Sequence, residues 1–413
     1  MAIPATEGNL LTVLNLSLVT FLVLLGLSMV APILPTYAES FQVSYTLVGF
    51  VVSSFAITRM FLDMPAGLLS RRYDKKRIMI SGLLLISVSS VLAGFAPNYI
   101  ILVIARMIEG AGSALYVTTA TVFLAQISGE EKRGQWMSLY MGLLLLGSIF
   151  GPTFGGVLAS IYDMRAPFFA YAIVTGLGVF PTLVLPKLTN SGNVSSSLKL
   201  REIARDMRQV LSNPSFLLVT FAVFTMFFLR TGIRTTVVPL FAANNLGLDS
   251  AAIGLVLTIA GITTALTIVP MGKISDRIGR KRPLAICLIL TAGVILLIPF
   301  STDLLTISIA LAIYGGVIGL SGPGAAYVTD VSPKDKLEIS MGLYRMISDF
   351  GFVVGPLLLG FLADVTATPV EGGTHSGLIG VIPFVVTSII LVIAFFVLLK
   401  ADDPARKKKS IMV

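Results

Sequence analysis

Three acid–base pairs lie inside stretches that are otherwise apolar: Arg59 with Asp63, Arg106 with Glu109, and Arg345 with Asp349. Their spacings of three or four residues put both members of each pair on one helix face, where they can neutralise each other. A carboxyl in such a setting is suited to taking up and releasing a proton. Desolvation favours its neutral form, a close guanidinium favours its charged form, and a rearrangement switches the balance. Glu109 and Asp349 are the leading candidates for a proton site and Asp63 is the third. The competing expectation for each pair is a self-neutralised structural element. Arg230 and Arg234 form a different constellation, one helical turn apart with no acid nearby, among Thr231, Thr235 and Thr236 and after Phe224, Phe227 and Phe228. Two such guanidiniums suit an anionic group on a ligand, or a partner such as Glu109. Arg106, Tyr116, Tyr140, Tyr314 and Tyr344 complete the candidates for lining a substrate cleft.

Other chemistries lack their residues. The sole histidine, His375, falls in a polar loop, so neither a His-based metal site nor a Ser-His hydrolase is expected. The sole cysteine, Cys287, excludes an internal disulfide. There is no Gly-x-x-x-x-Gly-Lys-Ser/Thr loop to hold a nucleotide and no His-Glu-x-x-His helix. A paired-aspartate intramembrane protease would need facing acids in the sixth and seventh apolar stretches, and neither contains one. The chain is therefore expected not to be an enzyme and to need no metal or other cofactor.

The elements that must position these charges follow from composition. Of 413 residues, 55% are hydrophobic and 12% charged, with a mean hydropathy of +0.92. A soluble domain cannot hide that much apolar surface, whereas a bilayer accepts it. Stretches able to cross a core of about 30 Å at about 1.5 Å per residue occur at 11–37, 47–69, 78–96, 99–126, 135–160, 166–186, 215–243, 251–271, 283–300, 304–329, 338–363 and 377–400. The first is too long for a cleavable signal peptide, and only Glu7 is charged before it. The predicted fold class is all-α integral membrane, with twelve transmembrane helices.

The formal net charge of +9 does not point to nucleic acid, because the cations are sorted by side. Of 30 Lys and Arg, the even-numbered connections and the C-terminal tail hold 24 (counting Lys400 at the end of the twelfth span with the tail), the odd-numbered connections hold only Arg165, and five lie within spans. That asymmetry predicts a multi-pass protein of the cell (inner or plasma) membrane with both termini cytoplasmic. The tail Arg406-Lys407-Lys408-Lys409 reads as a contact for membrane lipid headgroups.

The chain repeats itself. Gly147-x-x-x-Gly151-Pro152-x-x-x-Gly156 recurs 204 residues later as Gly351-x-x-x-Gly355-Pro356-x-x-x-Gly360. Pro35 and Pro239, Pro65 and Pro270, Gly67 and Gly272, Ser128 and Ser332, and Tyr140 and Tyr344 stay in step at offsets of 204 or 205. This predicts two pseudo-symmetric six-helix bundles at 1–186 and 214–400, with a substrate cleft at the repeat interface. Residues 187–213 form a cytoplasmic linker. Within it, 197–212 is an amphipathic helix with Leu200, Ile203, Met207, Val210 and Leu211 to one side and Arg201, Arg205 and Arg208 elsewhere. Residues 401–413 form a basic tail.

Between the eighth and ninth spans stands Gly272-Lys273-Ile274-Ser275-Asp276-Arg277-Ile278-Gly279-Arg280-Lys281-Arg282. This closely resembles the signature loop of the major facilitator superfamily, Gly-x-x-x-Asp-Arg-x-Gly-Arg-Lys or Arg. The first copy departs from it: Gly67-Leu68-Leu69-Ser70-Arg71-Arg72-Tyr73-Asp74-Lys75-Lys76-Arg77 has Arg71 at the place of Asp276 and Asp74 at that of Gly279. The resemblance implies a cytoplasmic latch at the acid, which here leaves Asp63 or Asp74 as substitutes. Arg106-Met107-Ile108-Glu109-Gly110-Ala111-Gly112 is similar to the family's Arg-x-x-Gln-Gly-x-Gly, with Glu at the Gln position. The Gly-Pro stretch of the fifth span is similar to a motif of the 12-span drug and metabolite proton antiporters, with Ser138 where the upstream glycine would be. The resemblance spans essentially the whole chain. It also implies that spans two and eleven meet between the halves, where Arg59 with Asp349, or Arg345 with Asp63, would close an inner gate.

The expected function is secondary active transport of a small organic solute by alternating access, proton-coupled and directed outward, by a monomer. The first span has no acid between Thr12 and Tyr37 of the sort some multidrug exporters in this superfamily use for cationic drugs, which favours neutral or anionic solutes. The alternative is proton-coupled uptake or facilitated transport of an organic anion or other small metabolite, using Arg230 and Arg234.

Overall fold

A computed structural model describes residues 10–128, 133–188, 200–368 and 377–403. The α-helices are α1 (Leu10–Val30), α2 (Leu34–Glu39), α3 (Tyr45–Arg72), α4 (Lys75–Gly94), α5 (Tyr99–Ile127), α6 (Arg133–Ile161), α7 (Ala166–Leu177), α8 (Val179–Val184) and α9 (Leu200–Leu211). The series continues with α10 (Pro214–Leu229), α11 (Val238–Asn244), α12 (Ser250–Ile278), α13 (Lys281–Ile295), α14 (Leu304–Ile318), α15 (Gly324–Val331), α16 (Leu337–Thr366) and α17 (Ile382–Leu399). Among the described residues the only bridge of extended chain joins Thr368 and Leu378. Twelve helical segments among these residues are long and apolar enough to cross a membrane, so the fold is an all-α, multi-pass membrane protein. His375 and the basic run 406–409 lie outside the described residues.

Proline and glycine shape several spans in ways the hydropathy does not reveal. The first was expected to run to residue 37, but α1 ends at Val30 and the chain turns before α2. Pro32 has no N–H to donate and its ring clashes with the carbonyl four residues back. Pro239, which matches Pro35 in the repeat, acts differently from Pro32: the preceding turn widens into a π-helix, Arg230–Val237, which relieves the clash without a break. The tenth span is interrupted between α14 and α15, where Gly322 and Pro323 follow a single 3₁₀ turn at Gly319–Ser321.

Two compact units make up the chain. One comprises Met1–Val43, Phe50–Gly192 and Leu248–Thr258, and the other Ser44–Gly49, Asn193–Gly247 and Ile259–Val413. The start of α3 thus belongs with the second unit and the start of α12 with the first. The repeated Gly-Pro motif makes this possible. In the first unit a Cβ on Gly254 would overlap the Pro152 carbonyl, and one on Gly156 would overlap Ser250. In the second, Gly49 stands against the Pro356 carbonyl and Gly360 against Tyr45. The other faces of the same motifs meet α1 and α10: a Cβ on Gly147 would lie 2.6 Å from the Phe21 carbonyl, and one on Gly351 would lie 2.7 Å from that of Phe224. Every neighbour just named is backbone, which cannot swing aside. The motif therefore packs helices on two sides at once.

Hydrogen bonds lock both starts in place. Asp364 on α16 accepts from the Tyr45 amide at 2.6 Å, the Thr46 amide at 2.8 Å and the Thr46 hydroxyl, capping the N-terminus of α3 from another helix. Asp249 caps α12 itself through the Ala252 amide at 2.9 Å and accepts from the Ser160 hydroxyl of α6 at 2.9 Å. Deeper in the first unit, the Thr258 hydroxyl donates to the Ile149 carbonyl at 3.0 Å and accepts from the Thr153 amide at 3.1 Å. It stands where the helix's own bond would run beside Pro152, and so satisfies both groups. The amphipathic helix α9 belongs to the second unit, joined to the approach to α16 by an Asp206–Lys336 ion pair at 3.2 Å and by Lys336 to Gln209.

Candidate functional site

The centre of the first unit is a buried charge pair on α5. Arg106 and Glu109 are 4% and 1% exposed, and the guanidinium donates directly to Glu109 Oε2. Local sequence explains how the pair reaches the interior. Gly110 lies against the Phe55 carbonyl of α3, while Gly112 and Gly82 let α5 and α4 cross with a Cβ-to-carbonyl spacing of only 2.7–2.8 Å. Side chains at Gly110 or Gly112 would push α5 off its neighbours and open the site. The Arg106 guanidinium carbon lies 4.9 Å from the centroid of the Phe55 ring, a cation–π contact that helps offset its desolvation.

Tyr171 of α7, absent from the sequence-based candidates, adjoins this pair. It is 1% exposed and Glu109 and Arg106 are the charged groups beside its hydroxyl. Glu109 Oε1, Arg106 Nε and the Tyr171 hydroxyl are all buried without a hydrogen-bond partner. Tyr171 nonetheless adjoins the Glu109 carboxyl closely enough for a hydrogen bond that a small shift would complete. Nearby, Tyr116 shares a 2.9 Å hydrogen bond with Thr20 of α1, and Tyr140 is buried at its side.

Arg59 and Asp63 also pair, at 3.6 Å, along α3. Asp63 in addition accepts from the Thr118 hydroxyl of α5 at 2.9 Å. Thr118 was not among the sequence-based candidates, because nothing in its spacing announces a partner 55 residues away.

In the second unit the π-helix carries Arg230, which is exposed, and Arg234, which is half-buried. Buried Tyr314 of α14 faces both guanidiniums. The widened turn is held by side chains: the Thr235 and Thr236 hydroxyls each donate to the carbonyl five residues back, at 3.1 and 2.8 Å. Phe224 and Phe350 pack at 6.3 Å and Phe227 and Phe352 at 4.8 Å, so this part of the unit is strongly aromatic. Asp349 is 7% exposed on α16, and both it and Arg345 are charged groups beside Tyr344 of the same helix.

The signature loops serve helix ends. In the second copy Asp276 pairs with Arg280 at 3.3 Å, and Arg280 also binds Asp330. Gly279 has φ +91°, a conformation that costs glycine nothing, and the Asp403 carboxylate rests against its Cα. Asp403 also accepts from the Lys281 amide at 3.3 Å, so the N-terminus of α13 is capped from the far end of the chain. In the first copy Asp74 caps α4 directly, accepting from the Lys76 amide at 3.2 Å with an ordinary φ of −60°. The departure from the family pattern thus exchanges one carboxylate cap for another. Lysines at matching positions also close neighbouring helix ends: Lys281 Nζ donates to the Leu399 and Ala401 carbonyls at 2.6 and 2.7 Å, and Lys76 Nζ donates to the Leu183 carbonyl. The carbonyl ends carry partial negative charge, which an ammonium complements. Gly67 and Gly272 are uncrowded, Arg277 lies in the last turn of α12, and the side chain of Arg71 lies outside the described residues.

Comparison with known proteins accords with this arrangement. A family model described as Major Facilitator Superfamily matches residues 16–237 and 219–412. Multidrug resistance protein 2 of Bacillus subtilis (strain 168) is 25% identical, over 84% of this chain and 87% of that protein. Quinolone resistance protein NorA of Staphylococcus aureus (strain COL) is also 25% identical, over 84% of this chain and 88% of that protein. Among solved structures, a bacterial homologue of the human lysosomal transporter Spinster, inward-facing and unoccupied, superposes with a TM-score of 0.76. It is 16% identical, covering 98% of both chains. The nucleoside transporter NupG gives 0.71 at 15% identity, over 95% of this chain and all of that one. The family match runs through both repeats, and with the twelve apolar helices it establishes that the chain belongs to the major facilitator superfamily of membrane transporters.

Proposed function

We propose that this transporter exports small organic solutes in exchange for protons, as a monomer in the cell membrane with both termini cytoplasmic. The observation that carries the reading is the Arg106–Glu109 pair, a carboxyl 1% exposed, half satisfied by an arginine on its own helix and half without a donor. Such a group can exist charged against Arg106 or neutral on protonation, and a change in its surroundings decides which. Export is supported by the likeness to proteins named for multidrug and quinolone resistance over most of the chain. The charge asymmetry of the connections supports the orientation. Asp349 and Asp63 are further proton-site candidates in this reading.

The test is proton flux in proteoliposomes with a pH dye inside, during addition of a panel of solutes that includes a quinolone. Antiport predicts that a transported solute added outside alkalinises the interior, and symport predicts acidification. Protein-free vesicles control for passive permeation. Glu109→Gln is expected to abolish the proton signal while leaving solute counterflow, and an unchanged signal would remove Glu109 as the coupling site. A second reading, transport of an organic anion, is favoured by the two arginines on the widened turn beside Tyr314. It predicts that Arg230→Ala weakens binding of an anionic substrate at least tenfold, and unchanged affinity would eliminate it.

A further inference from the structure

Tyr171 is held in place by an absence on another helix. One side of its ring fills the space a side chain on Gly26 of α1 would occupy: a Cβ on Gly26 would overlap Cδ2 and stand 2.6 and 2.8 Å from Cε2 and Cγ. Along α5, the close neighbours at Gly110 and Gly112 are Phe55 of α3 and Gly82 and Ile86 of α4, none of which titrates. The charged and titratable groups that face Glu109 are Arg106 on its own helix and Tyr171 on α7. The Tyr171 hydroxyl and Glu109 Oε1 are both buried and make no hydrogen bond of full geometry, yet the hydroxyl adjoins the Glu109 carboxyl closely enough to serve as its donor.

We infer that Tyr171, seated by Gly26, is a positioning residue for the Glu109 proton: its hydroxyl donates to Oε1 when Glu109 is ionised and lets go when Glu109 is neutral. This rests on the reading of Glu109 as the coupling carboxyl. The tyrosine keeps its own proton throughout, so only a hydrogen bond is made and broken. The chemistry is selective because an ionised carboxylate accepts far more strongly than a neutral acid. The position of α1 against α7 then sets how readily Glu109 gives up its proton. The glycine has a functional reason to be there, since even a methyl group would displace the ring.

The experiment measures solute-driven proton flux against pH in proteoliposomes of the full chain, for wild type, Tyr171→Phe, Gly26→Ala and Glu109→Gln. Tyr171→Phe removes the donor and keeps the ring. It is expected to move the pH of half-maximal flux upward by about one unit, with the maximal rate within about twofold. Gly26→Ala is expected to shift it in the same direction. Replacing Tyr171 with a ring-fluorinated tyrosine strengthens the donor at nearly constant shape, and is expected to move the midpoint downward. That arm decides the matter should Tyr171→Phe fail to fold. Midpoints unmoved by both Tyr171 replacements, with Glu109→Gln still abolishing the pH dependence, would overturn the role of Tyr171 alone. Wild-type pH dependence in Glu109→Gln would instead overturn the underlying reading of Glu109.

Discussion

Asp63 is bound from two directions, by Arg59 along its own helix and by Thr118 across to α5. Hydrogen bonds to ionised groups contribute about 1.5–3 kcal/mol, and partial exposure of this pair places the effect near the low end. Thr118→Val should therefore destabilise by about 1 kcal/mol, read as a lower midpoint in thermal unfolding in detergent, and Thr118→Ser should restore most of it. Asp74, just past the end of the same helix, offers a comparison. As the N-cap of α4 its loss in Asp74→Ala should cost about 1 kcal/mol, whereas Asp74→Asn should cost a few tenths. If Asp74 served instead as a charge latch, the Asn variant would behave like the Ala variant. The residue scale is also where sequence reading was strongest within helices and weakest between them. Arg59 with Asp63 and Arg106 with Glu109 were legible because spacings of three and four impose contact. Thr118, Tyr171 and Gly26 were not, because their partners lie on other helices and carry no periodic mark.

At the scale of elements, the number and order of membrane helices followed from apolar length alone, since a bilayer leaves no alternative way to satisfy the backbone. The interruptions did not follow. Pro32 ends a helix, Pro239 sits beyond a π-turn, and Pro152 lies within a continuous helix whose freed groups are met by Thr258. One residue type gives three outcomes because neighbouring side chains decide where the displaced carbonyl goes. Thr258→Val should leave the Thr153 amide and Ile149 carbonyl unmatched, costing about 1–3 kcal/mol, measurable as a reduced unfolding midpoint and faster amide exchange near Pro152. The glycines divide in a similar way. Gly254→Ala would drive a methyl group into the Pro152 carbonyl and should greatly reduce the yield of folded protein. Gly142→Ala and Gly293→Ala meet open space inside α6 and α13, and should stabilise by about 0.5–1 kcal/mol through helix propensity. Equal effects at Gly254 and Gly142 would contradict the close approach.

For the molecule as a whole, the duplication was legible as a sequence period, and the family followed from the signature loop. The exchange of helix starts between the units was not, because it depends on backbone approach at Gly49, Gly156, Gly254 and Gly360 rather than on hydropathy. Orientation is open to a direct experiment, since the chain has only one cysteine, buried Cys287. In a Cys287→Ser background, a cysteine replacing Ser410 should react with an impermeant maleimide only after cells are opened. One replacing His375 should react in intact cells, and the reverse pattern would invert the proposed topology.

The capping of α3 by Asp364 has a consequence in time. The amide of Tyr45 and its carboxylate acceptor are 319 residues apart. At about 5–20 residues per second, roughly 15–65 s of synthesis separate them. Through that interval the first turn of α3 has no carboxylate to receive its Tyr45 and Thr46 amides. A chain that stops after the first repeat therefore lacks the cap of α3. Asp364→Ala would leave the same defect in the completed chain, and a pulse-chase comparison should find it degraded about as fast as a chain truncated before α16.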